Sequence, residues 1–200
     1  MQFKNIAIEG NIGSGKTSLA KKLASHFKAD LILEEYSNNP FLEEYYKSKN
    51  DALALELFFL NTRHDQLTRL KKTKEEKPVI SDYYYGKSLI FAKNNLLEQE
   101  FALYTSIYGK LIKDLNQPDL IIYLNCGLKN LIKRIEKRGR NFEKNISESY
   151  LSELSKGYNF FFKNESSIRF IFIETDNINF IENENDFGTI LEYIFNAEKK

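Results

Sequence analysis

Two hundred residues with 29 Lys and Arg against 28 Asp and Glu, a net charge of +1 and 42% hydrophobic content fit one domain with a sizeable core. They exclude a disordered chain and speak against nucleic-acid or polybasic membrane partners. The single Cys126 excludes an internal disulfide framework and suits a reducing compartment. The opening run MQFKNIAIEG lacks the apolar core of a signal peptide, and the longest apolar stretch, 52–60, is too short for a bilayer and contains Glu56. The expected setting is therefore cytoplasmic, away from any membrane.

In chain order, Phe3 to Glu9 reads as a strand, followed by a Gly-rich turn and a helix from Lys16 to Phe27. Leu31 to Leu33 is a second strand candidate. Asp51 to Leu70 has a helical pattern with no Gly or Pro. Pro78 to Ser81 is a third short strand before a tyrosine-rich turn. Ser88–Leu97 and Glu98–Leu115 read as helices, and Pro118 breaks the chain. Leu120 to Leu124 is an apolar run of the kind covered on both faces. Leu128–Lys137 is a helix with a basic end, Ser147–Lys163 another, Arg169–Glu174 a fifth strand and Ile190–Phe195 a closing helix. This alternation predicts an α/β fold: a five-stranded parallel sheet with helices on both faces, in one domain over 1–200.

Gly10-Asn11-Ile12-Gly13-Ser14-Gly15-Lys16-Thr17 matches the whole Walker A pattern, with a strand before it and a helix after it. The glycines let backbone N–H groups curl around phosphate oxygens, and the helix N-terminus adds its positive dipole end. Lys16 is expected on the β- and γ-phosphates, and the Thr17 hydroxyl, with Ser18 beside it, on Mg²⁺. The motif specifies a nucleoside triphosphate but not what is done with it. No Asn-Lys-x-Asp base reader of a guanine-nucleotide switch is present. Two acids stand at strand ends, where parallel sheets bind ligands: Glu34, with Glu35 beside it, and Asp82. Arg134, Arg138 and Arg140 flank Gly139 in a basic segment suited to a lid over a transferring phosphoryl group, at about 138–146.

These pieces in this order resemble the deoxyribonucleoside kinase family, in its bacterial deoxyadenosine/deoxyguanosine kinase branch. The resemblance is carried by Gly-Asn-Ile-Gly-Ser-Gly-Lys-Thr at 10–17, Asn-Asn-Pro-Phe-Leu at 38–42, Phe-Leu-Asn-Thr-Arg at 59–63, Ile-Phe-Ala at 90–92, Arg-Gly-Arg-Asn at 138–141 and the Asn-rich run at 177–187. It implies a P-loop kinase that transfers the ATP γ-phosphate to the 5′-hydroxyl of a deoxynucleoside in nucleotide salvage, as a homodimer. It further implies a carboxylate near the 5′-hydroxyl at Glu34, with Glu35 as the alternative one residue on. Tyr45 and Glu143 match the pair that holds the sugar 3′-hydroxyl. Glu56 falls where the family usually has a base-reading glutamine, Phe91 resembles the aromatic stacked on the base, and Arg63 matches an arginine of the pocket. Arg134, Arg138 and Arg140 match the lid arginines. Asp82 is expected on Mg²⁺ through water, or as the base itself.

Two departures stand out. Asp82 is followed by Tyr83 where the family usually has arginine, and Lys87 replaces an aspartate that helps select the base. A carboxylate at Glu56 only accepts hydrogen bonds unless protonated. It could accept from an exocyclic amino group, as on adenine or cytosine, with Lys87 offsetting its burial, which favours an amino-bearing base over thymine. The expected acceptor is deoxyadenosine, with deoxyguanosine or deoxycytidine as further candidates. The rival readings are a thymidylate-kinase-like nucleoside monophosphate kinase, a noncatalytic ATP-binding regulator, and a P-loop NTPase acting on RNA.

Overall fold

The computed structural model describes residues 2–72, 77–164 and 167–199. Met1 and Lys200, the ends of the expected domain, lie outside the described residues. Five strands form one sheet: β1 (Asn5–Gly10), β2 (Asp30–Ile32), β3 (Val79–Ser81), β4 (Leu120–Asn125) and β5 (Phe170–Glu174). Their order is β2-β3-β1-β4-β5 and every pairing is parallel. The described helices are α1 (Lys16–Phe27), α2 (Leu42–Ser48), α3 (Ala52–Lys72), α4 (Lys87–Asn95), α5 (Glu98–Leu111), α6 (Leu128–Arg138), α7 (Glu148–Asn164) and α8 (Glu184–Glu198).

Period-two alternation divides the core into two layers. Ile6, Ile8, Leu120, Ile122 and Leu124 pack with Leu19 and Leu23 of α1 and Ile190 and Ile194 of α8. Ala7, Ile121 and Tyr123 face the other way, onto Leu60, Ile90, Tyr104, Tyr158 and Phe162 of α3, α4, α5 and α7. Each fully buried aliphatic side chain stabilises the fold by roughly 1.5–3 kcal/mol relative to exposure. Both faces are covered, which is why the strands read as continuous apolar runs.

The chain leaves β1 toward β2 on one side, and β4 lies on the other. The C-terminal end of β1 is therefore the crevice where ligands bind in open parallel sheets, and the loop 10–17 sits there.

Three differences from the sequence reading go beyond one or two residues at an element's end. Leu42–Ser48 is helical although it reads only as a motif-bearing segment; a seven-residue helix is too short to show a period. Residues 98–115 form one α-helix to Leu111 and then a single 3₁₀ turn, Ile112–Asp114. The closing helix starts at Glu184, where Asn183 Oδ1 accepts from the N–H groups of Asn185 and Asp186, so part of the Asn-rich run is an N-cap rather than a loop.

Candidate active site

The loop 10–17 takes its shape from glycines in positive-φ conformations. At Gly13, φ is +84°, and a Cβ would stand 2.9 Å from Ile135 Cγ1 and from Leu131 O on α6. At Gly10 a Cβ would meet Ser14 Oγ at 2.6 Å and Leu124 O at 2.7 Å. Asn11 ties the loop to α7, donating from Nδ2 to Leu151 O and Ser155 Oγ, both at 2.7 Å. Lys16 Nζ donates to Gly10 O (2.8 Å) and Asn11 O (2.9 Å), curled across the cradle it would share with phosphates. Burial and the nearby Lys87 lower its pKa to about 8, against the raising influence of Glu9, Glu34 and Asp82.

Glu34 follows β2 and lies among cations. Its Oε1 accepts from Arg63 Nη2 at 2.6 Å and Nε at 2.8 Å, and its Oε2 from Lys87 Nζ at 3.0 Å. Burial alone would raise its pKa; Lys87 and Arg63 outweigh it and hold the carboxyl far below its usual range. Asp82, at the end of β3, joins this cluster to the phosphate loop. Its Oδ1 accepts from the Glu34 backbone N–H (2.8 Å) and its Oδ2 from Thr17 Oγ1 (2.6 Å). Thr17 and Asp82 thus present hard oxygens side by side at the N-terminus of α1. Among the described residues no group of three or more His, Cys, Asp or Glu could hold a metal. The pair suits Mg²⁺, which takes one or two protein oxygens and fills its octahedron with phosphates and water.

A continuous cleft runs from Gly13, Lys16 and Thr17 past Glu34, Asp82, Arg63 and Lys87 to Glu56, Phe91, Asn95 and Tyr150. Arg138, Arg140 and Glu143 wall one side. The segment after α6 forms a 3₁₀ turn, Asn141–Asn145. Glu143 is buried there and accepts from Arg138 Nη2 (2.6 Å), Arg138 Nε (3.0 Å) and Arg140 Nη1 (3.3 Å). Arg140 also lies 4.0 Å over the Tyr36 ring.

Several expected residues lie elsewhere. Tyr45 is buried against Tyr46 with Lys49 over its ring and does not line the cleft. Its neighbour Tyr46 does, because successive helical residues point about 100° apart and Tyr46 shares the face of Leu42. Lys87 does not pair with Glu56 but with Glu34, and Asn95 Nδ2 supplies the Glu56 hydrogen bond at 2.7 Å. Arg134 sits behind the phosphate loop, not in the lid, donating to Ser14 O (3.1 Å) and Thr175 O (2.8 Å). Ser18 is exposed on α1 and outside the cleft. Of the two neighbouring acids, Glu34 enters the cleft, whereas Glu35 Oε1 accepts from Gln66 at the surface. Tyr83, in the expected arginine position, turns away and donates its hydroxyl to Gln66 Oε1.

One buried acid escapes the sequence reading. Glu9, in β1, is 1% exposed and accepts from the Tyr84 N–H (2.6 Å), the Tyr158 hydroxyl (2.9 Å) and the Gly10 N–H (3.2 Å). Burial raises its pKa, against Lys87 and Lys16. The readable signal was an acid inside an otherwise apolar strand, directly before the phosphate loop.

The chain is 39% identical over 196 residues to the deoxyguanosine kinase of Bacillus subtilis (strain 168), covering 94% of this chain and 95% of that protein. It is 31% identical over 204 residues to the deoxyadenosine kinase of Lactobacillus acidophilus, covering 94% of each. Among solved structures, the deoxyadenosine kinase from M. mycoides with bound dATP superposes with a TM-score of 0.82 at 27% identity, covering 94% of this chain and 97% of that one. The family model described as deoxynucleoside kinase matches residues 6–197, so the fold, the phosphate loop and the acid-lined cleft are those of a P-loop kinase, and the chain belongs to the deoxynucleoside kinase family.

Proposed function

We propose that the chain transfers the γ-phosphate of ATP to the 5′-hydroxyl of a purine deoxynucleoside, with deoxyadenosine and deoxyguanosine both within its reach. The observation that carries this reading is Glu34. It is an ionised carboxylate clamped by Arg63 and Lys87, and its backbone N–H donates to the same Asp82 that accepts from Thr17 of the phosphate loop. A hydroxyl seated at Glu34 is thereby in register with a phosphate seated on the loop.

Glu34 is a weak base in this setting. It orients the 5′-hydroxyl and takes its proton late, as a loose phosphoryl-transfer transition state allows. The sugar 3′-hydroxyl lies toward Tyr46 and Glu143, and the base between Phe91 and Glu56. Arg138 and Arg140, on the 138–146 segment acting as lid, neutralise charge on the transferring group. Lys87 supplies the cation that Tyr83 does not. Thr17 and Asp82 would hold Mg²⁺, which offsets the phosphate charge when bound with ATP.

A nucleoside monophosphate acceptor fits less well. Its phosphate would approach the Glu34 carboxylate, and both adjacent cations are already bonded to that carboxylate. Among the described residues no helix is long and apolar enough to cross a membrane. A cytoplasmic salvage role, a single domain and a homodimer belong to this proposal through the family resemblance. Sedimentation at micromolar concentration tests the dimer.

The test of function is phosphate transfer from Mg·ATP to the four deoxynucleosides and dTMP, with products separated by chromatography. The expected outcome is a purine deoxynucleoside monophosphate, with Glu34→Gln lowering kcat by about 100-fold or more. Phosphorylation of dTMP alone would overturn the acceptor assignment.

A further inference from the structure

The acceptor end of the cleft closes on a carboxyl that is only half satisfied. Glu56 is 1% exposed yet lines the cleft. Its Oε1 accepts from Asn95, while its Oε2 has no hydrogen-bond partner. A buried oxygen without a donor is costly, and the residue that carries it lines the space a ligand would fill.

The groups that face it come from every neighbouring element. Arg63, on its own helix, and Lys87 of α4 are both bonded to Glu34 rather than to Glu56. Tyr45 and Tyr46 of α2, Tyr104 of α5 and Tyr150 of α7 all feel its charge, and burial pushes each of these phenols above its ordinary value. They stay neutral through the physiological range. Burial raises Glu56 itself to about 7, helped by the like charge of Glu34, against the opposing pull of Arg63, the Asn95 hydrogen bond and Lys87.

We propose that Glu56 selects the purine through its own protonation: ionised, it accepts from guanine N1–H and the exocyclic N2–H; protonated, it donates to adenine N1 and accepts from the exocyclic N6–H. The inference rests on the deoxynucleoside kinase reading, with the base at this end of the cleft. The chemistry follows from donor counts. Guanine presents two adjacent donors on this edge, which a carboxylate matches. Adenine presents a donor beside an acceptor, and a carboxylate has nothing to give that acceptor. A neutral carboxyl has both, as a glutamine amide has at every pH. It also takes guanine, through O6 and N1–H. Guanine use therefore persists on both sides of the titration, whereas adenine requires the protonated form. Above that titration, adenine binding takes one proton from solvent and guanine binding takes none.

The experiment measures kcat/KM for deoxyadenosine and deoxyguanosine between pH 6 and 9, in the wild-type chain and in Glu56→Gln, which keeps size and hydrogen-bonding capacity. In wild type, the deoxyguanosine-to-deoxyadenosine ratio is expected to rise by about tenfold per pH unit above the titration, the slope of a single linked proton. In Glu56→Gln the ratio is expected to be flat. A pH-independent wild-type ratio, or the same rise in both proteins, overturns the inference and leaves the kinase reading standing. Transfer to no deoxynucleoside at all removes the kinase reading, and this inference with it.

Discussion

Glu34 and Glu56 are the same side chain in opposite surroundings. Glu34 accepts three hydrogen bonds from two cations and stays ionised; Glu56 receives one amide N–H and is pushed toward neutrality by burial. The consequence for stability has a definite sign. Glu56 binds its proton more tightly folded than at the ordinary value of 4.5, so its ionisation destabilises the fold progressively between 4.5 and about 7. Above that range the penalty is constant, at most about 3 kcal/mol. Glu34 contributes the reverse: its stabilisation is present at neutral pH and is lost as pH falls below the ordinary carboxylate range. Glu56→Gln is therefore expected to be more stable than wild type at pH 8 and close to it at pH 4.5. Denaturant midpoints at the two values check this. The type and position of both acids were legible in the sequence. Their ionisation was not, because it depends on Arg63, Lys87 and Asn95, which lie between 29 and 53 residues away for the Glu34 contacts and 39 for the Glu56 contact.

At the scale of elements, the phosphate loop is held at three points by two helices, α6 and α7. Asn11 reaches α7, Arg134 of α6 reaches Ser14 O, and the α6 side chain Ile135 sits where a Gly13 Cβ would go. Gly13→Ala needs both an unfavourable φ and a shift of α6, so the loop should lose its cradle before the fold is lost. The expected result is a KM for ATP raised about tenfold or more with a cooperative melting transition retained, read by kinetics and calorimetry. The Walker pattern identified every residue of this loop. It could not identify Arg134 as a brace, because a basic helix end reads the same whether it faces a lid or the underside of a loop. The sequence reading named Tyr45 alone, whereas Tyr46 lines the cleft, and the helix carrying both is too short to display its buried face as a pattern.

For the whole molecule, the cleft matters more than either end of it. The family resemblance implies inhibition by an end-product deoxynucleoside triphosphate bound across both subsites, and the one continuous space that joins the phosphate loop to Glu56 accommodates it. Inhibition by dGTP or dATP is expected to be competitive against ATP and against the deoxynucleoside, and steady-state kinetics with each substrate varied will show it. The alternation of apolar runs and helical periods sufficed for a parallel α/β sheet, since that class follows from patterns a few residues long. The phosphate loop is local in the same sense, and so is the resemblance carried by its ordered companions. The pairing of Glu34 with Arg63 and Lys87, the link from Thr17 to Asp82, the burial of Glu9 and the orphaned oxygen of Glu56 all join segments far apart in the chain. Those were decided only by tertiary structure, because charge, burial and hydrogen-bond partners depend on what the packed sheet brings within about 3 Å, and no short window of sequence contains both partners.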